Sequence, residues 1–160
     1  MKTGLVLEGG AMRGMFTAGV MDVLMENGIN LQTTIGTSAG ALNGYNYVAG
    51  EIGRAAKINL GYRHDKRYIG AVSLARNRGV VGFDFLLNDI EEEFPFNRKR
   101  FEDPKRRFLV TVTNCNTGEC IYCERGVTED FLKAVRASAS MPFAADMVEV
   151  DGVPCLDGGC

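Results

Sequence analysis

One serine in this chain has neighbours that suit it to nucleophilic chemistry. Ser38 is the centre of Gly36-Thr37-Ser38-Ala39-Gly40, which follows the apolar Ile35 and leads into a run of small residues. Glycines on both sides permit a sharp strand-to-helix turn, because a Cβ at either place would meet the adjoining strand or helix. Such a turn thrusts the serine Oγ outward and aims the next peptide N–H, that of Ala39, at a developing oxyanion. The same residues also read as a glycine-rich turn with a capping serine, since serine is a favoured N-cap.

A second glycine cluster, Gly9-Gly10-Ala11-Met12-Arg13-Gly14, lies between the strand-like Leu5-Val6-Leu7-Glu8 and a helical stretch from Met15 to Asn27. Free N–H groups and the helix dipole at such a place attract negative charge, whether a nucleotide phosphate or an oxyanion. Dinucleotide binding asks for G-x-G-x-x-G and for an acidic residue about 20 positions further on, at the end of a second strand. Ala11 occupies the middle glycine, Asp22 and Glu26 fall inside the helix, and Thr33-Thr34-Ile35 runs into Gly36 without an acid. The pattern favours the oxyanion.

Near the other end, Val148-Glu149-Val150 and Val153-Pro154-Cys155-Leu156 flank Asp151-Gly152, a strong two-residue hairpin signal that delivers Asp157-Gly158-Gly159. An aspartate there is either an ordinary turn residue or a carboxylate held in a crowded site. The histidine count narrows the mechanism. The single histidine, His64, precedes Asp157 in the chain, whereas the α/β-hydrolase triad runs Ser, acid, His. It also sits in Tyr62-Arg63-His64-Asp65-Lys66-Arg67, a surface pattern. If Ser38 is a nucleophile, its base is therefore another group within hydrogen-bond reach; a carboxylate is the available type, and Asp157 is the best placed.

The elements that must position these residues alternate. The patterns predict strand 4–8, helix 15–26 closed by Asn27-Gly28, strand 33–36, helix 39–49 and a glycine-broken helical stretch 52–60. A loop-rich 61–82, helix 84–93 and a charged loop follow. Strands 107–113 and 120–124, helix 128–138 opening on Thr128, and a hairpin over 147–156 complete the chain. Alternating strands and helices imply an α/β fold: a mainly parallel central sheet covered on both faces, a three-layer sandwich.

Composition sets outer limits. With 160 residues, 46% of them hydrophobic, the chain is one domain with a real core, yet short for a complete hydrolase sheet. A net charge of −2 gives no overall pull towards nucleic acid or anionic membrane. Arg98-Lys99-Arg100 and Lys105-Arg106-Arg107, after Glu91-Glu92-Glu93, form one basic stretch; Arg63, Lys66, Arg67, Arg76 and Arg78 form another. Such runs read as solvated faces, or as contacts to lipid phosphate head groups. No interleaved aromatic platform or zinc finger points to nucleic acid. The N-terminal apolar run is broken by Glu8, too soon for a secretory segment, and five cysteines, an odd number, fit a reducing compartment, so a cytoplasmic protein is expected. Cys120-Ile121-Tyr122-Cys123 has C-x-x-C spacing, but it falls on a strand, where residues three apart face opposite sides and make a poor zinc pair.

Taken together, the motifs resemble those of the patatin-like phospholipase family: a G-G-G-x-R/K-G loop, a G-x-S-x-G elbow and a D-G-G/A motif, here in the family's order. Ala137-Ser138-Ala139-Ser140-Met141-Pro142 matches a fourth block, A-S-x-x-x-P. The resemblance spans nearly the whole chain and lies towards the bacterial, cytosolic branch. It departs at Ala11, which stands for the third glycine; alanine keeps its N–H and fails only where the position demands positive φ. The resemblance implies a serine acyl hydrolase working through a Ser-Asp dyad. Ser38 would attack an acyl ester, Asp157 would act as base, and the amides of Gly9, Gly10 and Ala11 would hold the oxyanion. Arg13 and Gly14 would support that loop, and Gly36 and Gly40 would shape the elbow. No metal or organic cofactor is implied; the partner is a phospholipid or other acyl-ester lipid, met with peripheral contact at a membrane surface. Met12, Met15, Phe16 and Met141 are candidates for an acyl groove or for core. Family domains continue past D-G-G with further strands and helices, so a chain stopping at Cys160 is expected to be a patatin-like domain over 1–160 that lacks its C-terminal part, or an unusually short member. The alternatives are a non-catalytic lipid-binding or regulatory module of the same fold, or a nucleotide-binding α/β protein built on the Gly9 loop.

Overall fold

The computed structural model describes residues 3–70, 72, 73, 75 and 78–160; Met1 and Lys2 of the N-terminal run and Arg76 of the second basic stretch lie outside them. The strands β1 (Gly4–Leu7), β2 (Thr33–Gly36), β3 (Arg107–Asn114), β4 (Cys120–Glu124), β5 (Val148–Val150) and β6 (Val153–Asp157) form one mixed sheet. β1, β2 and β3 run parallel, the core of the expected α/β sheet, while β4 and β6 join β3 antiparallel and β5 pairs with β6. The sheet is open.

The register explains how two distant motifs meet. β2 runs along one edge of β3 until Gly36 reaches Val110. β6 runs the opposite way and stops with Asp157 at Val112. β4 pairs with Val110 and with Val112, and so occupies the other edge of β3. The C-terminal ends of β2 and β6 therefore point at each other along a single edge, with Thr111 between them.

Six α-helices are described: α1 (Gly14–Glu26), α2 (Ala39–Ala49), α3 (Arg54–Tyr62), α4 (Phe83–Leu87), α5 (Arg98–Phe101) and α6 (Phe131–Ser138), with 3-10 turns at Ala11–Arg13 and Asp89–Glu92. α1 buries Ala18, Met21 and Met25 along one stripe. It ends as expected: Gly28, at φ 71°, donates its N–H to Met25 O at 3.0 Å, and Ile29 donates to Leu24 O at 2.8 Å. Two helix expectations shift. The stretch 84–93 divides because Asn88 leaves helical geometry at φ −131°, ψ −72°, and the 3-10 turn that follows returns Ile90 to the core. The helix expected to open at Thr128 begins at Phe131, because the Asp130 side chain accepts the Lys133 N–H as its cap. A short helix, α5, lies in the charged loop, capped by Asn97.

α2, α4 and α6 share one core with the sheet face that carries Phe108, Val110 and Val112, and the Phe108 and Phe131 ring centroids are 5.3 Å apart. Leu7 of the same face packs with Met21 and Met25 of α1 and Tyr47 of α2. On the opposite face Val6 is 74% and Tyr122 61% exposed. The second helical layer of the expected sandwich is not among the described residues.

Two positions show what the backbone demands where α2 meets the sheet. A Cβ on Gly40 would lie 2.6 Å from the Leu7 carbonyl carbon and 2.7 Å from Glu8 O, both backbone atoms that cannot move aside. Ala11 lies at φ 49°, so the one departure in the first glycine cluster falls where positive φ is required. Opposite signs are therefore expected in urea unfolding. Gly40→Ala should lower stability by about 3 kcal/mol or more through overpacking against rigid backbone. Ala11→Gly should raise it by about 0.5–1 kcal/mol, the left-handed penalty less the extra entropy of glycine. A stable G40A protein would remove the close approach; a destabilised A11G protein would remove the strain.

Candidate active site

Ser38 follows β2 at φ 55°, ψ −122°, a region that costs a non-glycine residue on the order of 1–3 kcal/mol and persists only where its surroundings over-determine it. Its side chain makes no capping bond to α2, so the hydroxyl is not spent as a helix cap. The turn is held from three directions. Thr37 N–H donates to Leu7 O of β1 at 2.9 Å, and the Thr37 and Thr111 hydroxyl oxygens are 2.6 Å apart in a hydrogen bond to β3. Ser38 N–H donates to Ser138 Oγ at the end of α6 at 2.9 Å. A Cβ on Gly36 would lie 2.7 Å from Ala41 Cα, so the elbow closes this tightly only with glycine there.

The first glycine cluster packs directly on this turn. A Cβ on Gly9 would sit 3.0 Å from Ser38 Cβ and 3.6 Å from its Oγ, and one on Gly14 would sit 3.0 Å from Ala39 Cβ. Asn43 of α2 fixes the spacing by donating its side-chain N–H to Gly14 O at 2.8 Å. The N–H groups of Gly9, Gly10, Ala11 and Ala39 have no acceptor among the described residues. Arg13 is exposed and lies over Gly10, where a Cβ would be 3.5 Å from its own.

Asp157 ends β6 with its side chain buried. Oδ1 accepts the Gly159 N–H at 2.9 Å, the bond of an ordinary aspartate turn, but Oδ2 is buried without a hydrogen-bond partner among the described residues. A lone buried acceptor calls for a reason. The two turns abut: a Cβ on Gly159 would be 3.2 Å from Asp157 Oδ1 and 3.9 Å from Thr37 Cγ2. The structure thus gathers Gly9, Ser38 and Asp157 around Thr111, in the middle of β3, where the ends of β2 and β6 meet. His64 is exposed in the turn after α3.

A cavity of about 240 Å³ adjoins Ser38. The glycine cluster contributes Ala11 and Met12, α2 contributes Leu42 and Tyr45, α3 contributes Ile58, and Val81, Leu86 and Met141 close other sides. Met12 and Met141 line it, while Phe16 is 80% exposed. Burial pushes the Tyr45 and Tyr68 phenols up to about 12, so both walls stay uncharged. Arg54 reaches the lining: it is buried, donates to Asn46 Oδ1 at 2.8 Å and Phe94 O at 3.2 Å, and stacks over the Phe96 ring. Burial lowers its pKa, with Tyr45, Glu51 and Glu91 opposing that shift.

Several residues here carry no single-residue signal in the sequence. Thr37, Thr111 and Arg54 look like ordinary strand or helix residues; Asn43 is the one polar side chain in a small-residue helix turn, and Ser138 lies in the A-S-x-x-x-P block. The basic stretch 98–107 is largely engaged internally: Arg98 pairs with Glu91, Arg107 with Glu124, and Arg100 bonds Asn30. Because it leads into the first residue of β3, it lies at the opposite end of the sheet from Ser38. Cys120 is exposed and Cys123 buried, as their strand positions require, and burial pushes the Cys123 thiol up to about 11. Among the described residues no cluster of three His, Cys, Asp or Glu side chains could hold a metal ion, and no helix is long and apolar enough to cross a membrane.

Several known proteins are similar to this chain. YjjU of Escherichia coli (strain K12), described as uncharacterized, is 27% identical over 161 residues, 97% of this chain and 44% of its own. A lysophospholipase of Aspergillus terreus, nte1, is 29% identical over 163 residues, covering 98% of this chain and 10% of the fungal protein. Among solved structures, VipD from Legionella pneumophila shares the fold, with a TM-score of 0.65 at 16% identity over 99% of this chain and 46% of that one. The chain spans less than half the length of each. The family model for patatin-like phospholipases matches residues 5–160, and the chain belongs to that family.

Proposed function

We propose that this domain hydrolyses acyl esters of phospholipids or related lipids, with Ser38 as nucleophile and Asp157 as its base. The observation that carries the reading is Ser38 itself: a strained serine whose hydroxyl caps nothing, set beside a largely apolar cavity. Asp157 takes the Ser38 proton as Oγ attacks the ester carbonyl, and the N–H groups of Gly9, Gly10, Ala11 and Ala39 receive the oxyanion. Collapse of the tetrahedral intermediate breaks the ester C–O bond, and Asp157 returns the proton to the leaving alcohol. Water then attacks the acyl-serine, losing its proton to Asp157; that proton returns to Ser38 Oγ as the fatty acid leaves. The unpartnered Asp157 Oδ2 is the oxygen suited to that traffic. Arg13 and Gly14 brace the loop, and the exposed Met12, Phe16, Met141 and Phe143 would meet a lipid surface in peripheral contact. Five unpaired cysteines support a reducing, cytoplasmic setting.

The dyad is tested by substitution and cleavage of a short-chain acyl ester. Ser38→Ala should keep the fold and lose at least about 10³-fold in kcat. Folded S38A protein with more than about 5% of wild-type turnover would exclude Ser38, since a lost nucleophile leaves only residual rate. Asp157→Asn should lose about 10³-fold, while the exposed His64→Ala should stay within about twofold of wild type. Were H64A inactive and D157N active, the base would be histidine and the dyad assignment wrong.

A further inference from the structure

We infer that Ser138 is a positioning residue that ties the turn of Ser38 to the turn of Asp157; this rests on the reading of those two residues given above. Ser138 is the last residue of α6 and is fully buried. Its Oγ accepts the Ser38 N–H at 2.9 Å, and its carbonyl faces Gly158 N at 3.4 Å. Two residues on, Ser140 O accepts the Asp157 N–H at 2.9 Å, while the Ser140 hydroxyl bonds back to Arg136 O at 2.9 Å and braces this segment to its helix. One short stretch of chain thus grips both strand ends that meet at Thr111.

The bond to Ser138 acts on the Thr37–Ser38 peptide plane. Ser38 holds an unfavourable φ and ψ, and an amide pinned at its hydrogen stops that plane from rotating towards an ordinary turn and carrying Oγ with it. It also withdraws the Ser38 N–H from the oxyanion, leaving that task to the glycine loop and Ala39. Ser138 touches neither substrate nor reacting atoms; it acts through the placement of two groups that do.

The test compares Ser138→Ala with Val135→Ala, a fully buried aliphatic position on the same helix whose side chain can make no hydrogen bond to either turn. Amide hydrogen exchange in S138A should accelerate roughly tenfold in the 36–40 segment, the effect of losing one buried hydrogen bond, while the 156–159 segment, held by the backbone carbonyls of Ser138 and Ser140 that the substitution keeps, should stay within about threefold of wild type. Labelling of Ser38 by a fluorophosphonate probe should slow about 30-fold or more, as expected for a misplaced nucleophile, with KM for a short-chain ester within about twofold of wild type. V135A should lower the melting temperature while leaving labelling and both segments near wild type. Unchanged exchange of the 36–40 segment in S138A, or equal loss of labelling in V135A, would overturn the tether. Faster exchange of the 36–40 segment with no labelling in any protein would leave the tether standing and overturn the hydrolase reading, and with it the positioning role.

Discussion

A serine at φ 55°, ψ −122° is not a conformation the chain holds by itself. Local sequence supplies glycines that permit the turn, but permission is not stabilisation, and an isolated G-x-S-x-G peptide would relax. Here three separate elements hold it: β1 through Leu7 O, β3 through Thr111 and α6 through Ser138. Each bond is worth on the order of 1 kcal/mol, and together they match the strain they oppose. The surrounding architecture reads as the means of bringing those acceptors to one point.

The sheet achieves this by a collision of strand ends. In a wholly parallel sheet, β2 and its neighbours would all deliver their C-terminal ends side by side, on separate strands. Because β6 returns antiparallel on the edge of β3 that β2 has vacated, the elbow and Asp157 arrive head to head with Thr111 between them. Gly158 fits only because it lacks a Cβ: one there would strike Thr111 O and Oγ1. Glycine serves close approach at Gly9, Gly14, Gly36, Gly40 and Gly158. At residue 11 the need is for positive φ, and there an alanine stands.

The cavity is assembled differently. Its walls come from α2, α3, α4, the glycine loop and the segment after α6, so no short stretch of sequence describes it. Most of the lining is aliphatic, and the buried Arg54 is held by Asn46, Phe94 O and the Phe96 ring, while its Nη2 has no hydrogen-bond partner among the described residues. Met12 and Met141 reach the cavity while Phe16, one helical turn beyond Met12, does not line it.

What the sequence by itself determined follows from local rules: the alternation of strands and helices, the Asp151-Gly152 hairpin turn, the αL glycine after α1, and the glycine clusters as sites of tight approach. Each depends on neighbouring residues alone, and each is found in the fold, with the last helix starting three residues late where Asp130 caps it in place of Thr128. The fourth block was legible as a pattern but mute about its role, since a serine at a helix end acquires meaning only from what lies opposite it. The tertiary structure alone decided that β6 would share an edge with β2, that Thr111 would stand between the two turns, that the basic stretch would fall at the far end of the sheet, and that Arg54 would line a cavity. Those outcomes depend on register and packing between segments up to about a hundred residues apart, as in the bond from Ser38 to Ser138, and no periodicity within a single segment encodes them.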